Sequence, residues 1–122
     1  MTFLVVCALT EHGGLVSEPI QELKAEFFKA LAHPARIRVL ELLSEREWSV
    51  SELIGEVGLE GSHLSQQLGV LRRANLIRAR KEGTSVYYSI ADRRIVKILQ
   101  LSKEVLVGYL TRTRDLLTEA GR

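Results

Sequence analysis

The chain has 122 residues, 46% hydrophobic and 26% charged, with 17 Lys and Arg against 15 Asp and Glu. That length and composition fit one soluble globular domain with a real core. The single cysteine, Cys7, excludes an intrachain disulfide and a multi-thiolate metal site within one chain.

The apolar opening FLVVCAL is too short to span a bilayer and lacks the basic flank of a signal peptide. A cytoplasmic protein with no membrane partner is therefore expected. Residues 1–16 end in His12-Gly13-Gly14, a loose connection. They read either as a tail or as an extra element docked on a partner subunit. A helix is expected from Ser17, with Pro19 in its first turn. Ile20, Leu23, Phe27 and Leu31 form its apolar face, with Phe28 beside them. Pro34 should break this helix near His33 and open a second one over 35–43. There Ile37, Leu40 and Leu43 are expected to face the core, with Val39 and Leu42 adding to it.

Trp48 to Val50 reads as a brief strand. Ser49 and Glu52 fit a capping box for the next helix, and Trp48 and Leu53 stand where a hydrophobic staple would pack. That helix carries Leu53, Ile54 and Val57. It is followed by a turn at Gly58 and a second helix with Leu64, Leu68 and Leu71 on one face. The opposite face holds Ser62, Ser65, Gln66, Gly69 and Arg73. Two helices joined by a tight glycine-bearing turn match a helix-turn-helix. Ser and Gln at the start of the second helix suit base edges in the major groove, and Arg at its end suits phosphate. An ordinary helical hairpin with a solvated face would read the same way on these residues alone.

The helix should stop near Asn75, a residue that tolerates the left-handed conformation. Leu76 to Lys81 and Val86 to Ile90 read as two strands around the turn Glu82-Gly83-Thr84-Ser85. This hairpin is placed as a wing. Its tip, from Lys81 through Thr84 and Ser85, is basic, small and hydroxyl-bearing. Residues 92–118 read as one long helix with apolar Ile95, Leu99, Leu106, Leu110 and Leu117, flanked by Ile98, Val105, Tyr109 and Leu116. That stripe is too long for so small a domain to cover, so a second subunit is expected on it and on part of the first helix. Charge follows the same division. Residues 1–60 hold five Lys and Arg against ten Asp and Glu, and residues 61–122 hold twelve against five. The basic half begins where the reading helix begins.

The segments FFKALAHPARIRVLELL (27–43), SELIGEVGL (51–59), LSQQLGVLRRANLI (64–77) and EGTSVYYSI (82–90) together resemble the ArsR/SmtB family of small dimeric winged-helix repressors. The likeness covers roughly residues 20–100 and is specific in its order of motifs. It implies a mainly α fold with a small β-hairpin, a winged helix-turn-helix domain over residues 17–119, and a homodimer built through the N- and C-terminal helices. Leu23, Phe27, Leu99, Leu106, Leu110 and Leu117 would line the dimer interface. The resemblance further implies double-stranded DNA with a palindromic operator as partner. Ser62, His63, Ser65 and Gln66 would face bases. Arg72, Arg73, Arg80 and Lys81 would lie near phosphates, with Thr84 and Ser85 at the wing tip.

Some residues depart from the family pattern. Glu60 stands where a Ser cap is common, Gly61 and Gly69 loosen the reading helix, and Asn75 replaces a Gly. The positions of the family's Cys-x-Cys metal pair are Ser49 and Ser51. The second site, on the long helix, would fall on Asp92, Arg94, Val105 and Gly108. Hydroxyls do not replace thiolates on soft metals, so no cofactor is expected. Cys7 and His12 remain the candidates for a nonstandard metal site, although a lone Cys is commonly a small buried hydrophobe. No nucleophile–base pair or phosphate-cradling loop is present, so an enzyme is not expected. The competing function is a winged helix that binds another protein and no DNA.

Overall fold

A computed structural model describes residues 17–121. Its elements are α1 (Ser17–Leu31), α2 (Pro34–Glu45), β1 (Trp48–Ser49), α3 (Val50–Val57), α4 (Gly61–Arg73), β2 (Ile77–Glu82), β3 (Ser85–Ile90) and α5 (Arg94–Ala120). The expectations for residues 1–16, including Cys7 and His12, lie outside the described residues.

Local chemistry sets most of the boundaries. His33 takes an extended backbone before Pro34, and its Nδ1 accepts a hydrogen bond from the Ala35 amide at 3.1 Å, capping α2. Ser49 and Glu52 form the full capping box of α3: the Glu52 amide donates to Ser49 Oγ, and the Ser49 amide donates to Glu52. Two donors that would otherwise face water unpaired are satisfied in this way. Gly58 ends α3 with φ at +76°, in the region where a Cβ is strained.

Helix α4 ends in a Schellman arrangement. The Asn75 amide donates to the Arg72 carbonyl at 2.9 Å, and the Leu76 amide donates to the Leu71 carbonyl at 3.0 Å. Asn75 carries φ of +60°, while Leu71 and Leu76 are both buried. Asn75→Ala should lower stability by about 1–2 kcal/mol through left-handed strain, and Asn75→Gly should not. Urea unfolding of the two variants at equal protein concentration checks this.

The sheet order is β1-β3-β2, all antiparallel. Trp48 faces Tyr88 across β1 and β3, and both are buried. The hairpin pairs one residue further out than expected, to Glu82 and Ser85. Its loop is therefore Gly83-Thr84, with Gly83 at φ +62°, a two-residue connection that suits hairpin twist.

The core lies between α2, α3, α4 and the inner face of the sheet. Val39, Leu40, Leu53, Leu64 and Leu71 have no exposed area, and Leu68 has 1%. Trp48 belongs to this core and donates its indole N–H to the Leu42 carbonyl at 2.9 Å. Ile37, expected to face the core, sits outside it at 36% exposed, and the apolar Ile54 of α3 is 38% exposed. The buried arc of α2 is Val39, Leu40, Leu42 and Leu43, and Ile37 points about 140° away from the centre of that arc at 100° per residue. Ile54 turns away from the Leu53 face toward the start of α4, where its Cδ1 stands 3.7 Å from an ideal Cβ on Gly61.

Helix α5 starts two residues after Asp92, whose carboxylate accepts from the Arg94 amide at 2.9 Å. Only Ile95 is buried, and every described residue from Gln100 onward is exposed. At 1.5 Å per residue its 27 residues reach about 40 Å.

Candidate nucleic-acid interface

Helix α4 buries Leu64, Leu68 and Leu71 and turns Ser62, His63, Ser65, Gln66, Arg72 and Arg73 outward, all exposed. None of these six side chains hydrogen-bonds to another described residue, so their donors and acceptors are available to a ligand. The helix start is uncapped by a side chain: Glu60 sits at the N-cap position without a capping bond. Gly69 lies in the same outward row, and an ideal Cβ there would stand 3.2 Å from Arg73 Nη1. The missing side chain lets Arg73 lie back along the helix.

The seat of α4 includes a contact that the sequence pattern did not reveal. Arg36 Nε donates to Gln67 Oε1 at 2.7 Å, while its Nη1 donates to the carbonyls of Lys29 and Ala30 at 3.2 and 3.4 Å. One guanidinium therefore ties α2 to the reading helix and to the end of α1, where a cation also suits the helix dipole. Gln67 flanks the Leu64–Leu68 stripe on the inner side. That placement was a signal, but its partner lies 31 residues earlier. Above this contact runs a groove between α1 and the end of α4. Leu23, Phe27, Ala30, Val70 and Ala74 line it, with Arg36 and Arg73 among its polar residues.

The wing projects beside α4. Lys81, Thr84 and Ser85 are exposed at its tip. Arg80, expected near phosphate from the resemblance, pairs with two carboxylates of the protein. It meets Glu47 at 2.5 Å and Glu82 at 2.6 Å. The hydrogen bonds from Arg80 hold the Glu47 carboxyl below its usual range, and those to Glu47 and Glu82 raise Arg80.

The positions matching the family's metal sites have other occupations. Ser49 caps α3. Asp92 binds the Arg94 guanidinium at 2.6 Å, which with the Arg94 amide holds its pKa down to about 2. Among the described residues no three His, Cys, Asp or Glu side chains gather at one place. No described helix is long and apolar enough to cross a membrane.

Of the residues expected at a dimer interface, Leu23 is 40% exposed, Leu106 61%, Leu110 64% and Leu117 70%. Phe27 and Leu99 are half-buried against the chain's own core.

Comparison with known proteins agrees with this geometry. Residues 33–79, which span α2 through the first half of β2, match the model of the bacterial regulatory protein arsR family. The chain is 58% identical over 96 residues to the HTH-type transcriptional regulator Rv0081 of Mycobacterium tuberculosis, covering 78% of this chain and 84% of that one. The crystal structure of Rv0081 superposes with a TM-score of 0.73, over 77% of this chain and 95% of that one. A transcriptional repressor SmtB homolog from Synechocystis is 39% identical over 61% of this chain and 56% of its own length. The solution structure of Mb0332 from Mycobacterium bovis is described as a homodimeric winged helix-turn-helix DNA-binding domain. It is 29% identical, with a TM-score of 0.72 over 79% of this chain and 89% of that one. The chain belongs to the arsR family: it is a DNA-binding transcriptional regulator built on a winged helix-turn-helix, not an enzyme.

Proposed function

We propose that the chain works in the cytoplasm as a homodimeric repressor that reads a palindromic operator without a metal cofactor. The carrying observation is the pairing of a polar face on α4 with a long apolar helix, the first engaged and the second covered by none of the described residues. Leu101, Val105, Leu106, Val107, Tyr109 and Leu110 are each more than half exposed. An apolar surface of this extent marks an interaction site rather than a solvated helix. A twofold axis through α1 and α5 would bury it and set two α4 helices about 34 Å apart, one DNA turn. The SmtB homolog's name and the homodimeric state of Mb0332 support the reading.

In this reading Ser62, His63, Ser65 and Gln66 meet base edges. Arg72, Arg73 and Lys81 neutralise phosphates, and Thr84 and Ser85 meet the backbone at the wing tip. Ser49, Ser51, Arg94, Val105 and Gly108 offer no thiolate or imidazole at the family positions, and Asp92 is spent on Arg94. The donor set therefore does not fit the family's metals.

Fluorescence anisotropy with a duplex from upstream of the chain's own gene, beside a scrambled duplex, tests the proposal at rising salt. Tight binding that needs the palindrome and falls steeply with salt is expected. Equal weak binding to both duplexes would contradict it. In the same assay Gln66→Ala should lose roughly 1–3 kcal/mol at one base position. A uniform loss across all base substitutions would remove Gln66 from the reading set.

A further inference from the structure

Arg80 reaches across the wing. It stands on β2 opposite Tyr87 of β3, and Ser49 of β1 pairs with the other edge of Tyr87. Its guanidinium carbon lies 4.9 Å from the centre of the Tyr87 ring. Beyond the ring, Nη2 donates to Glu47 Oε1 at 2.5 Å and Nε to Glu47 Oε2 at 3.3 Å, a two-pronged fit. Nη1 donates to Glu82 Oε2 at 2.6 Å. One side chain therefore reaches from β2 across Tyr87 of β3 to the residue just before β1.

Glu47 is itself anchored. Arg46 Nη1 donates to the Glu47 carbonyl at 2.9 Å, its guanidinium lies 3.7 Å over the Trp48 ring, and its Nη2 reaches Glu52 at 3.0 Å. Glu52 is the partner of Ser49 in the capping box of α3. The far end of the contact is thus the joint between α2, β1 and α3. Strand β1 has only two residues and stops supporting β3 at Tyr87. The hairpin outside that point is two-stranded, an arrangement that holds itself poorly in water.

We propose that Glu47 and Arg80 form a staple that fixes the angle of the wing against the helix-turn-helix, so that Arg80 positions the wing instead of binding phosphate. Charge supports the assignment. Arg80 with Glu47 and Glu82 sums to −1, a poor surface for a phosphate. Moving Arg80 onto DNA would leave these two carboxylates without the cation they share. The phosphate and backbone contacts of the wing then fall to Lys81, Thr84 and Ser85. This inference rests on the reading of the wing as a DNA-contacting element.

Two measurements test it on the full-length protein. Hydrogen exchange of the β2 and β3 amides in the free protein should speed up in Glu47→Ala and at least as much in Arg80→Ala, which also loses Glu82 and the Tyr87 ring, and the double variant should go no further than Arg80→Ala. Glu47→Gln, whose amide oxygen still accepts from Arg80, should stay near wild type. Unchanged exchange in Glu47→Ala overturns the staple whether or not an operator is found, so its failure is separate from failure of the DNA reading. On an operator duplex, each alanine variant should weaken binding about fivefold. The salt slope should be unchanged and the double variant no worse than Arg80→Ala. Tighter binding by Glu47→Ala, or a slope about one phosphate lower in Arg80→Ala, would show Arg80 on the DNA and overturn the proposal.

Discussion

Leu110→Glu is expected to give a folded monomer that no longer binds its operator at concentrations where the wild type is saturated. In the isolated chain Leu110 is 64% exposed, and no described residue beyond Gln100 is buried. A carboxylate there has water around it and costs the domain almost nothing. In a dimer packed along α5 the same carboxylate is buried against leucines without a partner, at an effective cost of several kcal/mol. Each 1.4 kcal/mol is a factor of ten, so dimer dissociation should rise by at least about a hundredfold. Operator affinity falls with it, because two half-sites bound as one unit become two weak, independent contacts. Sedimentation velocity reads the assembly, and near-wild-type far-ultraviolet dichroism confirms that the domain still folds. A variant that remains dimeric would remove this stretch of α5 from the interface.

Elements whose boundaries rest on local chemistry were legible from sequence. Ser49 and Glu52 carry their capping box within four residues. Pro34 carries its own break, and Asn75 marks the left-handed stop after α4. The faces of α4 were legible too, because Leu64, Leu68 and Leu71 repeat at helical spacing. Ile37 was misread because it sits three residues before Leu40, a helical spacing. The real arc of α2 is centred on the neighbouring pairs Val39-Leu40 and Leu42-Leu43, and only the positions of α4 and α5 decide which arc is used. Two of the contacts that sequence did not show are long-range pairings of charged or polar side chains. Arg36 meets Gln67 at a separation of 31 residues and Arg80 meets Glu47 at 33. Periodicity reports which face is buried, and it carries no information on which cation meets which acceptor. Arg80 shows the consequence: an arginine on a basic wing reads as a phosphate ligand, and its pairing with two carboxylates is visible only in the folded chain.

Leu68→Ala should have the largest effect on stability. Leu68 is 1% exposed and lies midway along the buried stripe of α4, between Leu64 and Leu71, which have no exposed area. Removing three carbons there costs the transfer term and leaves a cavity that α2 cannot collapse to fill. Substitutions of this kind lose about 2–5 kcal/mol, against a total of about 5–15 kcal/mol for a domain. For a domain of this size each 1 kcal/mol is worth several degrees, so a fall of about 10 °C or more in Tm is expected. Melting must be compared at one protein concentration, because a dimer's stability depends on it. Ser65→Ala is the control. Its side chain is exposed on the opposite face of the same helix, so it should melt with the wild type while still altering operator preference. DNA binding should follow occupancy of the folded state in Leu68→Ala, recovering at low temperature with its sequence preference intact. A Leu68→Ala protein that melts with the wild type would mean that α4 is not seated on the core through this stripe. One that recovers its fold and loses sequence preference would mean that Leu68 sets the angle of the reading helix as well as its stability.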